Sequence, residues 1–437
     1  MGEYTGIYIN GKEMFTYRNE PHQELEDLFT SADITYLDGI DALPYSSAWH
    51  AGMLDCEVDE IEVYGLSATV ADLRDRLNAL GFGYELLRSG VNRLLEEEVK
   101  NCAETLERWA EIGLDDDYVQ SVAEKMEAWR SLDFDSWNAQ VYSHLEKKGK
   151  GSPKWRDQGP LEIFMGADSR LLLRALVEHF DGDAILLFDL TDYMIDSSLG
   201  DIDTDWLPVW QLDATPPIVI TEGKFDAMVL ESALGILKPQ LAPYVRFLDY
   251  GVGNEGGAAA VVRTLKSFAA AGIAHRIIAI FDNDSAAYEA VLGLRPDSLP
   301  EHYGVMHYPD LPLATAYPTL GPQGNSVMDV NRLAGSIELY LGRDVLEVSN
   351  GELTPVQWKG YMHKVRAYQG EVTNKGSLQD AFRAKLEAAK SDPTKVTSQD
   401  WSGIQLILDA LLDKLGTLPA ARPYNSPLSI SDFTEEG

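Results

Sequence analysis

Cysteine is nearly missing from this chain: Cys56 and Cys102 are the only two in 437 residues. Two thiols cannot build a disulfide framework or, by themselves, a zinc module. They read as buried thiols of a cytoplasmic protein. Long apolar runs are missing too. No stretch reaches the roughly 18 apolar residues of a transmembrane helix, so no membrane partner is expected. The opening segment from Met1 to Gly6 has no basic n-region and no apolar h-region, which fits a cytoplasmic protein rather than a secreted one. No Gly-x-x-x-x-Gly-Lys-Ser/Thr loop occurs, so any ATPase would be a separate chain. Positive charge is scarce: 36 Lys and Arg face 70 Asp and Glu, a net of −34. That balance repels phosphate backbones on average, and a nucleic-acid substrate would require a local basic surface and metal ions.

What the chain does have is acid at the ends of short apolar runs. Ile218 to Ile220 is followed by Thr221, Glu222 and Gly223, then by Asp226; Ile277 to Phe281 is followed by Asp282, Asn283 and Asp284. Runs of this length, rich in Ile and Val and followed by a helical pattern, predict buried parallel strands. Tyr244–Leu248 and Tyr303–Tyr308 predict two more strands, with helices over 224–234, 258–271 and 285–294 between them. The order βαβαβαβ implies a parallel sheet covered on both faces. Ligands of such sheets sit outside the carboxyl ends of the strands. Glu222, Asp282 and Asp284 would therefore share one crevice. Crowded carboxylates repel and raise each other's pKa unless a cation sits between them, and oxygen-only ligands suit Mg²⁺ or Mn²⁺. Asp284 also has the bland reading of a helix cap, and Asp226 that of a first-turn acid.

A strand ending in Glu-Gly-x-x-Asp, then one ending in Asp-x-Asp-x-Ala, resembles the Toprim domain of primases, topoisomerases and overcoming-lysogenization-defect nucleases. The resemblance covers residues 211–345 and implies a Rossmann-like four-stranded parallel sheet with helices on both faces. It implies Glu222, Asp282 and Asp284 as catalytic and metal-binding residues, with Asp226 and Asp329 as further metal ligands. The pair Gly256-Gly257 resembles the glycine loop after the second strand in the nuclease branch. In primase-type relatives an Asp-x-Asp follows the fourth strand; here its second acid is Asn331, which leaves Asp329 as either a ligand or a cap. Two cysteines argue against a primase with its zinc module, and the length argues against a topoisomerase.

Residues 1–205 read as an α+β N-terminal domain. Asn10-Gly11 predicts a hairpin between Tyr4–Ile9 and Lys12–Tyr17, a strand follows around 58–64, and Thr69 with Asp72 caps a helix. Residues 94–131 are helical, and 184–191 form a strand. The opening hairpin, the stretch 26–29 and the strand through Asp189 resemble the N-terminal domain shared by HEPN-type and Toprim-type proteins of bacterial conflict systems. Arg174 and His179 match the spacing of HEPN ribonucleases, but a strand follows where that all-helical fold would continue. Lys147 to Arg156 is a basic loop read as a connector. Residues 327–340 read as a helix, 346–416 as a mainly helical C-terminal region, and 417–437 as a flexible tail. Within 355–390 basic and aromatic residues interleave, and Lys359, Lys364 and Arg366, with Lys224, are the expected substrate contacts.

The resemblance thus implies a cytoplasmic, metal-dependent nuclease of DNA or RNA, tRNA included, serving as a toxic effector in anti-phage defence. It further implies a partner ATPase or sensor protein from the same defence operon, and assembly into homo-oligomers. The competing class is a non-catalytic acidic sensor or inhibitor with a degenerate core that binds a protein partner.

Overall fold

The structure, a computed structural model, describes residues 4–18, 23–46, 57–113, 117–147, 159–164, 167–194, 216–248, 256–294, 299–348 and 351–419. The basic loop beyond Lys147, Cys56, and the tail past residue 419 lie outside them. The chain divides into two compact units, Met1–Leu77 with Phe82–Asp213, and Asn78–Gly81 with Ala214–Gly437.

The first unit is an antiparallel sheet with helices. Its strands are β1 (Tyr4–Ile9), β2 (Lys12–Arg18), β3 (Ile34–Asp38), β4 (Glu62–Thr69) and β5 (Ile185–Asp189), in the order β2-β1-β5-β4-β3. Asn10 and Gly11 both have positive φ, 50° and 71°, as the tight β1–β2 turn requires. Thr69 Oγ1 accepts from the Asp72 N–H and starts α1 (Val70–Leu80). Helices α2 (Tyr84–Glu111), α3 (Asp117–Arg130), α4 (Phe134–Lys147) and α5 (Ser169–Val177) follow before β5.

The second unit holds the parallel sheet. Its strands are β6 (Ile218–Ile220), β7 (Arg246–Phe247), β8 (Ile277–Phe281) and β10 (Tyr303–His307), and their order is β10-β8-β6-β7. Every residue of β8 is buried, as a central strand covered on both faces demands. Ile277, Ala279 and Phe281 pack with Ile220 and with Val261 and Leu265 of α7 (Ala258–Ala270). Alternation turns Ile278 and Ile280 to the other face. Each such side chain contributes roughly 1.5–3 kcal/mol on burial. Helix α6 (Lys224–Leu237) follows β6, and α8 (Ser285–Val291) follows the short β9 (Asn283–Asp284).

Two expected helical regions are corrected. Residues 327–340 are not a helix: β12 (Gly324–Met328) pairs with β11 (Tyr317–Gly321), β13 (Ala334–Gly335) pairs with β9, and Ile337–Tyr340 is one short 3-10 turn. The C-terminal region is not mainly helical from its start. Val356–Met362 (β14) and Ala367–Val372 (β15) form a hairpin, and only α9 (Lys375–Ser391) and α10 (Ser402–Thr417) are long helices there. Tyr361 and Tyr368 face each other across the hairpin. Aromatics paired in this way stabilise strands, which outweighs the helix propensity of Lys364, Arg366 and Ala367 between them.

Candidate active site

Strand β6 connects through α6 to β7 on one side, and the chain then crosses back to place β8 on the other. The strand direction of travel thus reverses between β6 and β8, the position where open α/β sheets form a crevice at their carboxyl ends. Glu222 leaves the end of β6 and Asp282 the end of β8. The Asp282 N–H donates to Glu222 Oε1 at 2.9 Å, so the two acids meet in this crevice. The Glu222 backbone is pinned as well. Its carbonyl accepts from the Gly257 N–H at 2.7 Å. A Cβ on Gly256 would come within 2.7 Å of that same carbonyl, and Gly257 has φ of 99°, so the glycine pair is required by this approach.

Burial pushes the Glu222 carboxyl up to about 7; the Asp282 N–H works against the shift, and the charges of Asp284 and Asp226 add to it. Asp282 is raised well above the ordinary aspartate value, first by burial and then by Asp226, Glu222 and Asp284. Its Oδ1 is buried and has no hydrogen-bond partner among the described residues. Asp226, in the first turn of α6, is pushed up to about 6 by burial, although Tyr308 Oη donates to its Oδ1 at 2.9 Å. His307 Nδ1–H donates to the Asp282 carbonyl at 2.8 Å, and its ring stacks on Tyr288 with centroids 3.9 Å apart. Backbone and ring contacts therefore hold Asp282 in place while one carboxylate oxygen goes without a donor.

The other expected residues are distributed unevenly. Asp284 neighbours the cluster electrostatically, but Oδ1 accepts from the Ala287 N–H at 2.8 Å, capping α8, and Oδ2 accepts from Gln369 Nε2 at 2.7 Å. Asp329 is exposed, and its Oδ1 accepts from the Asn331 backbone and side chain. Lys224 is exposed at the start of α6. Lys359 pairs with Glu371 at 3.3 Å and Lys364 with Glu289 at 3.0 Å, while Arg366 is exposed at the hairpin turn. Arg174 pairs with Glu178 at 2.8 Å within α5 and its C-cap, and β5 follows, so the HEPN-like spacing stands in a mixed sheet unit.

Sequence reasoning missed Glu338 and counts Lys375 only among the basic residues of 355–390. Glu338 is buried and accepts from Ser336 Oγ at 2.7 Å and Gln379 Nε2 at 3.0 Å. Lys375, the first residue of α9, lies 3.4 Å from Glu338 and 3.5 Å from Glu371. Burial works against its ammonium, but Glu338, Glu371 and Asp282 outweigh that, and its pKa ends above the ordinary lysine value. It lowers the carboxyls of Asp226 and Asp282 in return. No local motif marks either residue. Asn283 Nδ2 donates to Asp310, which Arg332 grips from outside at 3.0 Å, and this chain braces the loop after β8.

Buried carboxylate oxygens, crowded and with one lacking any donor, match a hard dication in donor chemistry. Among the described residues, however, no three of His, Cys, Asp and Glu are arranged to hold a metal ion. The expected trio is not preassembled, because both Asp284 oxygens are turned to protein donors.

Residues 1–194 match the family model described as HEPN/Toprim N-terminal domain 1. No curated protein and no solved structure matches the chain.

Proposed function

Because residues 1–194 belong to the HEPN/Toprim N-terminal domain family, we propose that the second unit is a Toprim-type, metal-dependent phosphodiester hydrolase acting on nucleic acid as an effector of bacterial defence. One observation carries the reading: a buried Asp282 oxygen without a donor, beside Glu222, at the crevice between the two central parallel strands. Leaving such an oxygen unpaired costs stability unless a ligand satisfies it.

Glu222 and Asp282 would hold Mg²⁺ or Mn²⁺, with water and substrate phosphate completing the shell. When bound, such an ion supplies positive charge to the scissile phosphate and a lower pKa to a coordinated water. Glu222 could instead carry a proton, since burial raises its carboxyl to about 7 in the metal-free site; as a ligand of the ion it would be ionised. Asp226, held by Tyr308, adds negative field behind the pair. Lys375 balances that field without occupying the unpaired Asp282 oxygen. Asp284 orients α8 and the hairpin, and it would join the ligands only by exchanging Gln369 for the ion.

The test is incubation of the purified chain with plasmid DNA, single-stranded DNA and tRNA in Mg²⁺, Mn²⁺ or EDTA. Cleavage that needs the metal and disappears in Asp282→Asn supports the reading. A net charge of −34 favours the second reading, an acidic module that binds a basic protein partner. That reading expects no cleavage of any substrate and no thermal stabilisation by metal.

A further inference from the structure

Resting on the nuclease reading, we propose that the β14–β15 hairpin is a base-stacking platform, and that the substrate it selects is a single-stranded nucleic acid. Tyr361 and Tyr368 pair directly across the hairpin, so their side chains share one face. Their ring centroids lie 5.1 Å apart. His363 extends the group at 5.2 Å from Tyr361, and Trp358 at 6.4 Å from Tyr368. Both tyrosines remain open to solvent, 44% and 57% exposed. The rings meet edge to face at 69°, so each offers its own exposed surface to an unpaired base; in a duplex the base faces are already covered by their neighbours.

Charge favours a nucleic acid as the occupant over a protein. From Leu353 to Gly370 the chain has no Asp or Glu, although it carries Lys359, His363, Lys364 and Arg366, and this within a protein of net −34. Arg366 sits exposed at the turn with φ of 54°. Lys359 and Lys364 already pair with Glu371 and Glu289, so phosphates would have to compete for them. The rings, rather than the two lysines, therefore supply most of the affinity.

The platform is tied to the candidate catalytic loop. The Tyr368 carbonyl accepts from Ser285 Oγ at 2.9 Å. Gln369 accepts from the Ala286 N–H at 2.9 Å and donates to Asp284 at 2.7 Å. The backbone of the platform is thus fixed to the loop that carries Asp282, while alternation along β15 turns the Tyr368 ring to the face opposite the Gln369 side chain.

The experiment is fluorescence anisotropy on the full chain in EDTA, with a labelled oligothymidylate and a labelled hairpin duplex of the same length. Without metal, binding is read apart from cleavage. Wild type is expected to bind the single strand more tightly than the duplex. Tyr361→Ala and Tyr368→Ala should each weaken single-strand binding about ten-fold, with the Phe variants retaining it. Both positions are solvent-exposed, and unchanged melting temperatures would exclude unfolding as the cause. Equal affinity for duplex and single strand, no binding to either, or alanine variants that bind like wild type would overturn the platform. Ring-dependent binding by a chain that cuts nothing in Mn²⁺ would instead overturn the nuclease reading, so the two failures are distinct.

Discussion

Arg76, 2% exposed in α1 of the first unit, donates to both oxygens of Asp33 and to the Leu28 carbonyl, at 2.8 to 3.1 Å. Asp282 in the second unit has a buried carboxylate oxygen with no donor among the described residues. The charge of Arg76 is paired inside the chain through its two terminal nitrogens, although its Nε has no hydrogen-bond partner among the described residues, and its network joins α1 to the turn before β3. Asp282 is surrounded by Glu222, Asp226 and Asp284, which make its charge harder to keep. A buried charge that the chain pairs with itself reads as structure. One left among like charges reads as a place for something the chain does not supply.

Substitutions at the two positions should therefore behave oppositely. Asp282→Asn keeps size and hydrogen-bonding capacity but removes an anionic oxygen. Cleavage should fall by orders of magnitude, since metal stabilisation of the transition state is worth roughly several kcal/mol. Its metal-free melting temperature should hold or rise, because one repelling charge leaves the cluster. A mutant that still cuts, or that gains as much stability from Mn²⁺ as wild type, would move the chemistry elsewhere. Arg76→Met should do the reverse: about 3–5 kcal/mol lost in urea denaturation, from leaving Asp33 unpaired. Mn²⁺ should stabilise this variant as much as wild type. A neutral Arg76→Met would dissolve the contrast.

Acidity sharpens the same comparison. Glu222 titrates near 7 against an ordinary 4.5, and Asp226 near 6 against 3.8. A carboxyl raised on folding binds more protons in the native than in the unfolded state. Stability is then greatest below the ordinary value and falls as pH rises through the folded one. Glu26 in the first unit is also pushed up to about 7, by burial and by Asp27. Metal-free protein should therefore lose on the order of a few kcal/mol between pH 4.5 and 7. Mn²⁺ should return only the part that belongs to the second unit. Thermal melts across this range, with and without the ion, measure both parts; a profile that rises with pH would refute the assignment. The smallest effect is expected at Asp284. Ala there should cost about 1 kcal/mol through the lost cap of α8, and Asn, itself a good cap, much less. Loss of cleavage in Asp284→Asn at unchanged stability would show that Asp284 exchanges Gln369 for the ion.

Much of the second unit was legible because its signals are local. An unbroken Ile277–Phe281 run, an abrupt acid and a helical pattern together imply a strand, its end and the crevice beyond it. The glycines at 256 and 257 could be marked as a loop, though only the structure gives the reason, a carbonyl with no room for a Cβ. The β14–β15 hairpin reads as helix in the sequence, because its cross-strand Tyr361–Tyr368 contact joins positions that no short window compares. Glu338 and Lys375 escaped for a related reason: their importance lies in what they approach, and neither sits in a motif. Asp284 could be read from sequence as ligand or cap. The structure shows the cap, since Ala287 and Gln369 occupy its oxygens.

The Gln369 contact also has a temporal side. Asp284 waits for a partner 85 residues further along the chain. At the pace of synthesis that interval is on the order of ten seconds. Through it, the nascent chain already has Glu222, Asp282 and Asp284 but not the hairpin that braces their loop, nor Lys375 to balance their charge. On the nuclease reading proposed above, that order would keep the site incomplete during synthesis, its acids translated early and oriented late.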